Sequence, residues 1–83
     1  MIKKTDSQLV VIKSPSDLGA LVRQTRKQSK LKQAEAAAMC GVGTRFLSDL
    51  ENGKPSLHLG KMLQVMKAFG LLVMVKKKEF IDK

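Results

Sequence analysis

The stretch from Gln33 to Lys54, Q-A-E-A-A-A-M-C-G-V-G-T-R-F-L-S-D-L-E-N-G-K, decides how this chain folds. It reads as two short helices hinged by a glycine turn. Small residues at Ala34, Ala37 and Ala38 let a second helix cross closely over the first. Gly41 suits the left-handed position that ends a helix, and Val42 fills the bend. The second helix carries Leu47 and Leu50 as its apolar residues and stops at Asn52-Gly53.

Two helices joined by a short glycine-containing turn form the helix-turn-helix unit, whose second helix reads the major groove of DNA. Composition agrees with a polyanionic partner. Sixteen Lys and Arg stand against seven Asp and Glu, a formal net charge of +9, which attracts nucleic acid or an anionic membrane surface. With 83 residues, 43% of them apolar, the chain makes one domain with one small core, and its stability is expected to be marginal. Dimerisation would relieve that. The single cysteine, Cys40, is expected to be a small buried core residue rather than a nucleophile or a ligand. No signal-peptide pattern is seen, and no apolar run approaches the roughly 20 residues that span a bilayer, so the expected location is cytoplasmic.

Outward from the central unit, residues 1–8 are polar and expected to be frayed. Leu9-Val10-Val11-Ile12 is too brief to be a helix, so residues 1–13 are expected to form an extended segment. Ser14-Pro15-Ser16-Asp17 then starts a helix. Ser14 caps it, Pro15 sits where a missing N–H costs nothing, and Asp17 completes a capping box. That helix runs to about Gln28 with Leu18, Leu21 and Val22 on one face. Arg23, Arg26, Lys27, Lys30 and Lys32 lie on its other face and in the following turn, where phosphates would lie.

Beyond Gly53, Lys54-Pro55 turns the chain and Ser56 is expected to cap a helix from Leu57 to about Phe69. Leu59, Met62, Leu63, Met66 and Phe69 follow its period as core residues, and His58 is expected on the surface or as a cap. Gly70 ends this helix and with it a domain spanning residues 14–70. The remainder, 71–83, is read as a strand, Leu71-Leu72-Val73-Met74-Val75, followed by a basic tail. A strand apolar at five consecutive positions needs cover on both faces. The economical cover is the same strand of a second subunit, which makes Leu71, Leu72, Val73, Met74 and Val75 the expected dimerisation residues. No paired carboxylates, Cys/His cluster or phosphate-binding glycine loop is present, so neither enzyme activity nor a metal or cofactor is expected.

Gln33 opening the second helix, Gly41-Val42 in the turn and Leu50-Glu51-Asn52-Gly53 closing the third resemble the lambda/434 repressor-type (Xre-type) helix-turn-helix family, over roughly residues 17–70. A narrower resemblance is to the HipB-like antitoxins. It rests on Ile12-Lys13-Ser14-Pro15 leading into Leu21-Val22-Arg23-Gln24, and on Leu71–Val75 following the fourth helix. The resemblance implies a mostly α lambda-repressor-like bundle of four or five helices, with the short C-terminal β-strand at a dimer interface. It also implies a homodimeric repressor on a palindromic operator, autoregulating an operon with a HipA-type Ser/Thr kinase toxin to which it binds. The alternatives are a regulator of the same fold with no kinase partner, and a basic adaptor for protein or RNA.

Carried over by position, Thr44 and Arg45 at the start of the third helix would meet base edges, with Ser48 or Asp49 one turn later. Arg45 can donate two hydrogen bonds to guanine, and Thr44 can bond a base or touch a thymine methyl. Asp49 can accept from cytosine but is disfavoured near phosphates, so it ranks below Arg45. Lys32, Gln33, Asn52 and Lys54 would contact phosphates and set register. Lys32 stands where the family commonly has a capping Ser or Thr, a loss of roughly 1 kcal/mol. Phe46, where a small polar residue is usual, admits two roles: a buried aromatic or an apolar contact beside the DNA. The resemblance also implies an ion pair between Arg26 and Glu51, fixing the first helix against the third.

Overall fold

The structure, a computed structural model, describes residues 9–78; the expectations for residues 1–8 and for the end of the basic tail, 79–83, lie outside the described residues. Four helices follow one another: α1 (Pro15–Gln28), α2 (Gln33–Cys40), α3 (Thr44–Glu51) and α4 (Leu59–Ala68). The third crosses both α1 and α2, and α4 rests on α2. Each helix contributes to one core: Val22 from α1, Ala36, Ala37 and Cys40 from α2, Leu47 and Leu50 from α3, and Val65 and Met66 from α4. Leu18, Leu21, Leu31, Val42, Phe46, Leu57, Met62, Phe69 and Leu71 close around it.

The start of α1 uses its sequence signal with one change of partner. Ser14 Oγ accepts from the Asp17 amide at 3.2 Å, but the Asp17 carboxylate reaches past the cap to accept from the Lys13 N–H at 2.8 Å. At α2 the lysine cap has no acceptor to offer the helix. Instead Glu35 bonds back to the Lys32 N–H at 2.8 Å, half of a capping box that places a carboxylate in the first turn, where the helix dipole favours it.

All four helices end in the same motif, a left-handed residue whose N–H and that of its successor turn back onto the last carbonyls. After α2, Gly41 bonds Ala38 and Val42 bonds Ala37; after α3, Gly53 bonds Leu50 and Lys54 bonds Asp49; after α4, Gly70 bonds Lys67 and Leu71 bonds Met66. At α1 the left-handed position falls to Lys30 (φ 59°), a conformation that costs a residue with a side chain roughly 1 kcal/mol. In three of the four motifs the following residue, Leu31, Val42 or Leu71, packs its apolar side chain onto the core. The exception is Lys54, after α3.

Gly19 makes the closest helix crossing. A Cβ there would lie 2.4 Å from the Leu50 carbonyl oxygen and 2.7 Å from that of Glu51, so α1 rides directly on the end of α3.

Several sequence expectations are corrected. Within the alanine run it is Ala36 and Ala37 that are buried, while Ala34 and Ala38 face outward. The fourth helix begins later than expected, capped not by Ser56 but by His58, whose Nδ1 accepts from the Lys61 amide at 3.1 Å. Its buried face is Met62, Val65, Met66 and Phe69 rather than one including Leu59 and Leu63, which remain 63% and 44% exposed. The stripes 59-62-63-66-69 and 62-65-66-69 both fit a helical period, and packing on α2 selects the second, keeping the expected Phe69. The expected C-terminal strand stands apart from these corrections: among the described residues no strand is found and Leu71–Val75 has no ladder partner, with Leu72 to Val75 exposed.

Candidate nucleic-acid interface

The third helix buries Leu47, Leu50 and Glu51 and turns Thr44, Arg45 and Asn52 outward, with Ser48 and Asp49 half-buried at the edges of that face. Gly43 precedes the helix and supplies no side-chain cap, which leaves the amides of the first turn without a side-chain partner from the cap. Arg45 projects furthest, its side chain 90% exposed. Its Nε lies 3.9 Å from Asp49 Oδ2, one turn along, and Lys54 Nζ approaches the same oxygen to 3.7 Å. Neither separation is a hydrogen bond, so both cations keep their donors available. Asp49 meanwhile sits between two positive groups that offset its charge. The structure thus brings Arg45, Asp49 and Lys54 together on one outward surface, with Asn52 between the helix end and Lys54.

Beneath that surface lies a second, buried cluster. Arg26, on α1, donates from Nε to Glu51 Oε2 at 2.6 Å and from Nη2 to Glu51 Oε1 at 2.9 Å, a bidentate pair. Its third nitrogen donates to the Leu31 carbonyl at 2.9 Å, tying the end of α1 into the same cluster. Gln33 Nε2 donates to Glu51 Oε1 at 3.1 Å, and Arg23 Nε stands 4.0 Å from that oxygen. Burial alone would raise the Glu51 pKa, but the hydrogen bonds from Arg26 and Gln33 and the charges of Arg26 and Arg23 outweigh it and hold the carboxyl below its usual range. The bond to Glu51 likewise raises the Arg26 guanidinium, against the opposing effect of its burial. Among the described residues, no buried side-chain polar atom lacks a partner.

This cluster divides residues that the sequence grouped together. Arg26 belongs to no surface strip: it is buried, while Arg23, Lys27 and Lys30 remain exposed. Gln33, expected toward phosphate, spends one amide donor inward on Glu51 and stands half-buried at the first position of α2, next to exposed Lys32. Phe46 is half-buried against the core, and the Lys61 ammonium sits 5.9 Å from its ring centroid.

Sequence reasoning missed three contributors: Lys61 on that ring, Glu35 at the α2 start and Gln64, which bonds the carbonyls of Cys40 and Gly41. Of these only Glu35 carried a local signal, standing three residues after the cap. The others depend on how α4 is placed. Cys40 is buried, and burial raises its thiol pKa. Among the described residues, no group of His, Cys, Asp or Glu is arranged to hold a metal ion, and no helix is long and apolar enough to cross a membrane.

Comparison with known proteins follows this geometry closely. A family model described as helix-turn-helix matches residues 22–72, from the buried face of α1 to just past α4. An uncharacterized HTH-type transcriptional regulator of Sinorhizobium fredii is 54% identical over 59 residues, covering 71% of this chain and 78% of that protein. Among solved structures, a chain of a HipB-O2 20mer complex superposes with a TM-score of 0.76 at 22% identity, covering 87% of this chain and 100% of the other. One from a HipA-HipB-O2-O3 complex gives 0.75 at 21% identity, with 86% and 100% covered. At such identities the likeness is one of fold.

Proposed function

The chain belongs to the helix-turn-helix family, and from that premise we propose that it is a dimeric, sequence-specific transcriptional repressor whose α3 enters the major groove of DNA. The observation that carries this reading is the outward face of α3. Arg45, 90% exposed and held only loosely by Asp49, stands on a helix whose far end is tied by the buried Arg26–Glu51 pair. A planar guanidinium presented this way matches the two acceptors of guanine, and Thr44 beside it suits a base or a thymine methyl. Ser48 and Asp49 lie one turn further along the same groove. Lys54, Asn52, Lys32 and Gln33 border the helix and are assigned to phosphates. Lys54 is the one polar residue among the four that follow a helix end, where an apolar side chain would have packed on the core, which is the kind of local exception expected where function overrides packing.

The exposed Leu72–Val75 segment is assigned to a second copy of the chain, pairing as the strand that one subunit cannot complete. In such a dimer two α3 helices lie about 34 Å apart, one turn of DNA, on a palindromic site. The likeness to HipB chains, one of them in complex with HipA, supports the finer assignment to a HipB-like antitoxin that represses its own operon and binds a HipA-type kinase.

Selection of bound duplexes from a random pool tests the reading. A two-fold-symmetric consensus is expected. Binding that is strongly salt-sensitive but yields no consensus would instead mark a general polyanion binder.

A further inference from the structure

Gln64 lies on the solvent-facing side of α4, yet its carboxamide is fully engaged as a donor. Nε2 donates to the Cys40 carbonyl at 2.7 Å and to the Gly41 carbonyl at 3.2 Å. These are the oxygens at the frayed end of α2, where carbonyls lack partners within the helix. They also belong to the hinge itself, because the left-handed Gly41 turns the chain and α3 begins three residues later. The fit is close. Glycine suits this position because of its φ of 75°, and a Cβ there would come within 2.9 Å of Gln64 Nε2 and push the amide aside.

We propose that Gln64 is a positioning residue for DNA reading: it pins the α2–α3 hinge to α4 and so sets the angle at which Thr44 and Arg45 are presented. The inference rests on the function proposed above. The third helix is then fixed at both ends by separate devices. Arg26 and Glu51 hold its C-terminal end against α1, and Gln64 holds the hinge that carries its N-terminal end against α4. The two devices serve different purposes. Glu51 is buried in the core and supports the whole fold, whereas Gln64 is a surface side chain whose loss exposes two carbonyls to water at little cost to the fold. Such a loss releases the hinge without emptying the core. Contacts to base edges carry the sequence information and depend on the placement of α3, while contacts to phosphate carry none, so a misplaced α3 costs discrimination first.

The test compares the full chain with Q64M, which keeps the length and loses the donor, and Q64K, which restores a donor. Each is titrated with a symmetric duplex selected by the wild type and with a random duplex of equal length, and each is melted. Q64M is expected to lower affinity for the selected duplex about tenfold, the equivalent of about one net hydrogen bond, while affinity for random DNA changes less than about threefold. Its melting temperature should stay near that of the wild type. Q64K should regain most of the ratio between selected and random DNA, since its added charge strengthens both alike. Unchanged discrimination in Q64M, or a loss shared equally by both duplexes, overturns the proposal. So does a large fall in melting temperature with discrimination intact. If wild-type selection yields no consensus, the parent reading has failed instead.

Discussion

Glu51 and Arg45 lie on opposite faces of one short helix and divide its labour. Glu51 is buried with three hydrogen bonds from Arg26 and Gln33. Its replacement by Ala leaves a buried guanidinium without its anion, at a cost of roughly 3–5 kcal/mol. The melting temperature should fall by at least about 10 °C, and an unchanged melting curve would dispose of the structural role. The pair also predicts a pH dependence. Because the Glu51 pKa is lower folded than unfolded, the unfolded chain takes up protons first as pH falls. The pair's stabilisation is complete above the ordinary carboxylate range, around pH 4.3, and is lost as pH drops through the lowered value. Wild-type melting should therefore decline on acidification more steeply than that of Glu51→Gln, and parallel curves would contradict the assignment. In the function proposed above, Arg45 serves the DNA instead. Arg45→Ala should relax preference at one base pair per half-site, costing roughly 1–3 kcal/mol, while Lys54→Ala weakens all sequences alike. Quantitative binding to a panel of single-base variants separates these, and equal loss on random DNA from Arg45→Ala would refute the readout role.

At the scale of elements, the crossing of α1 on α3 depends on a residue that no local pattern singles out. Gly19 sits inside a helix, where glycine is unfavourable by about 1 kcal/mol relative to alanine. That expectation reverses here, because a Cβ meets two backbone carbonyls that cannot rotate away. Gly19→Ala should destabilise the domain despite improving helix propensity, which a chemical denaturation midpoint would register. A stabilised Gly19→Ala would mean that the two helices separate readily. The phase of α4 was illegible for a related reason. Met62 and Met66 belong to both candidate stripes, so periodicity could not choose between Val65 and Leu63 as the buried neighbour. The ends of the helices were easier to read, since Gly41, Gly53 and Gly70 announce them in sequence. Lys30 occupies the same left-handed position without announcing it.

For the molecule as a whole, the exposed apolar segment after α4 is the feature that calls for a partner. The chain leaves Leu72, Val73, Met74 and Val75 exposed beside a run of lysines. An apolar segment of this kind is an aggregation hazard unless another chain covers it. Val73→Asp is expected to shift the protein to a monomer in sedimentation equilibrium and to weaken binding to a symmetric duplex far more than to a half-site. A wild type that sediments as a monomer over the micromolar range, or a variant that remains dimeric, would remove the segment from the interface.

The sequence by itself determined the helix-turn-helix core. The spacing of Gln33, Gly41-Val42, Leu47, Leu50 and Asn52-Gly53 reflects local requirements: a helix start, a left-handed turn and a periodic apolar stripe. The family resemblance also pointed to Arg45 at the start of the third helix, and the structure leaves that side chain exposed. Tertiary structure alone decided which alanines face inward, which face of α4 is buried, why Gly19 must lack a side chain and how Gln64 reaches the hinge. These depend on the approach of segments distant along the chain, and short-range patterns carry no record of it. The helix-turn-helix stretch was thus written locally, while the means of holding it at both ends came from α1 and α4.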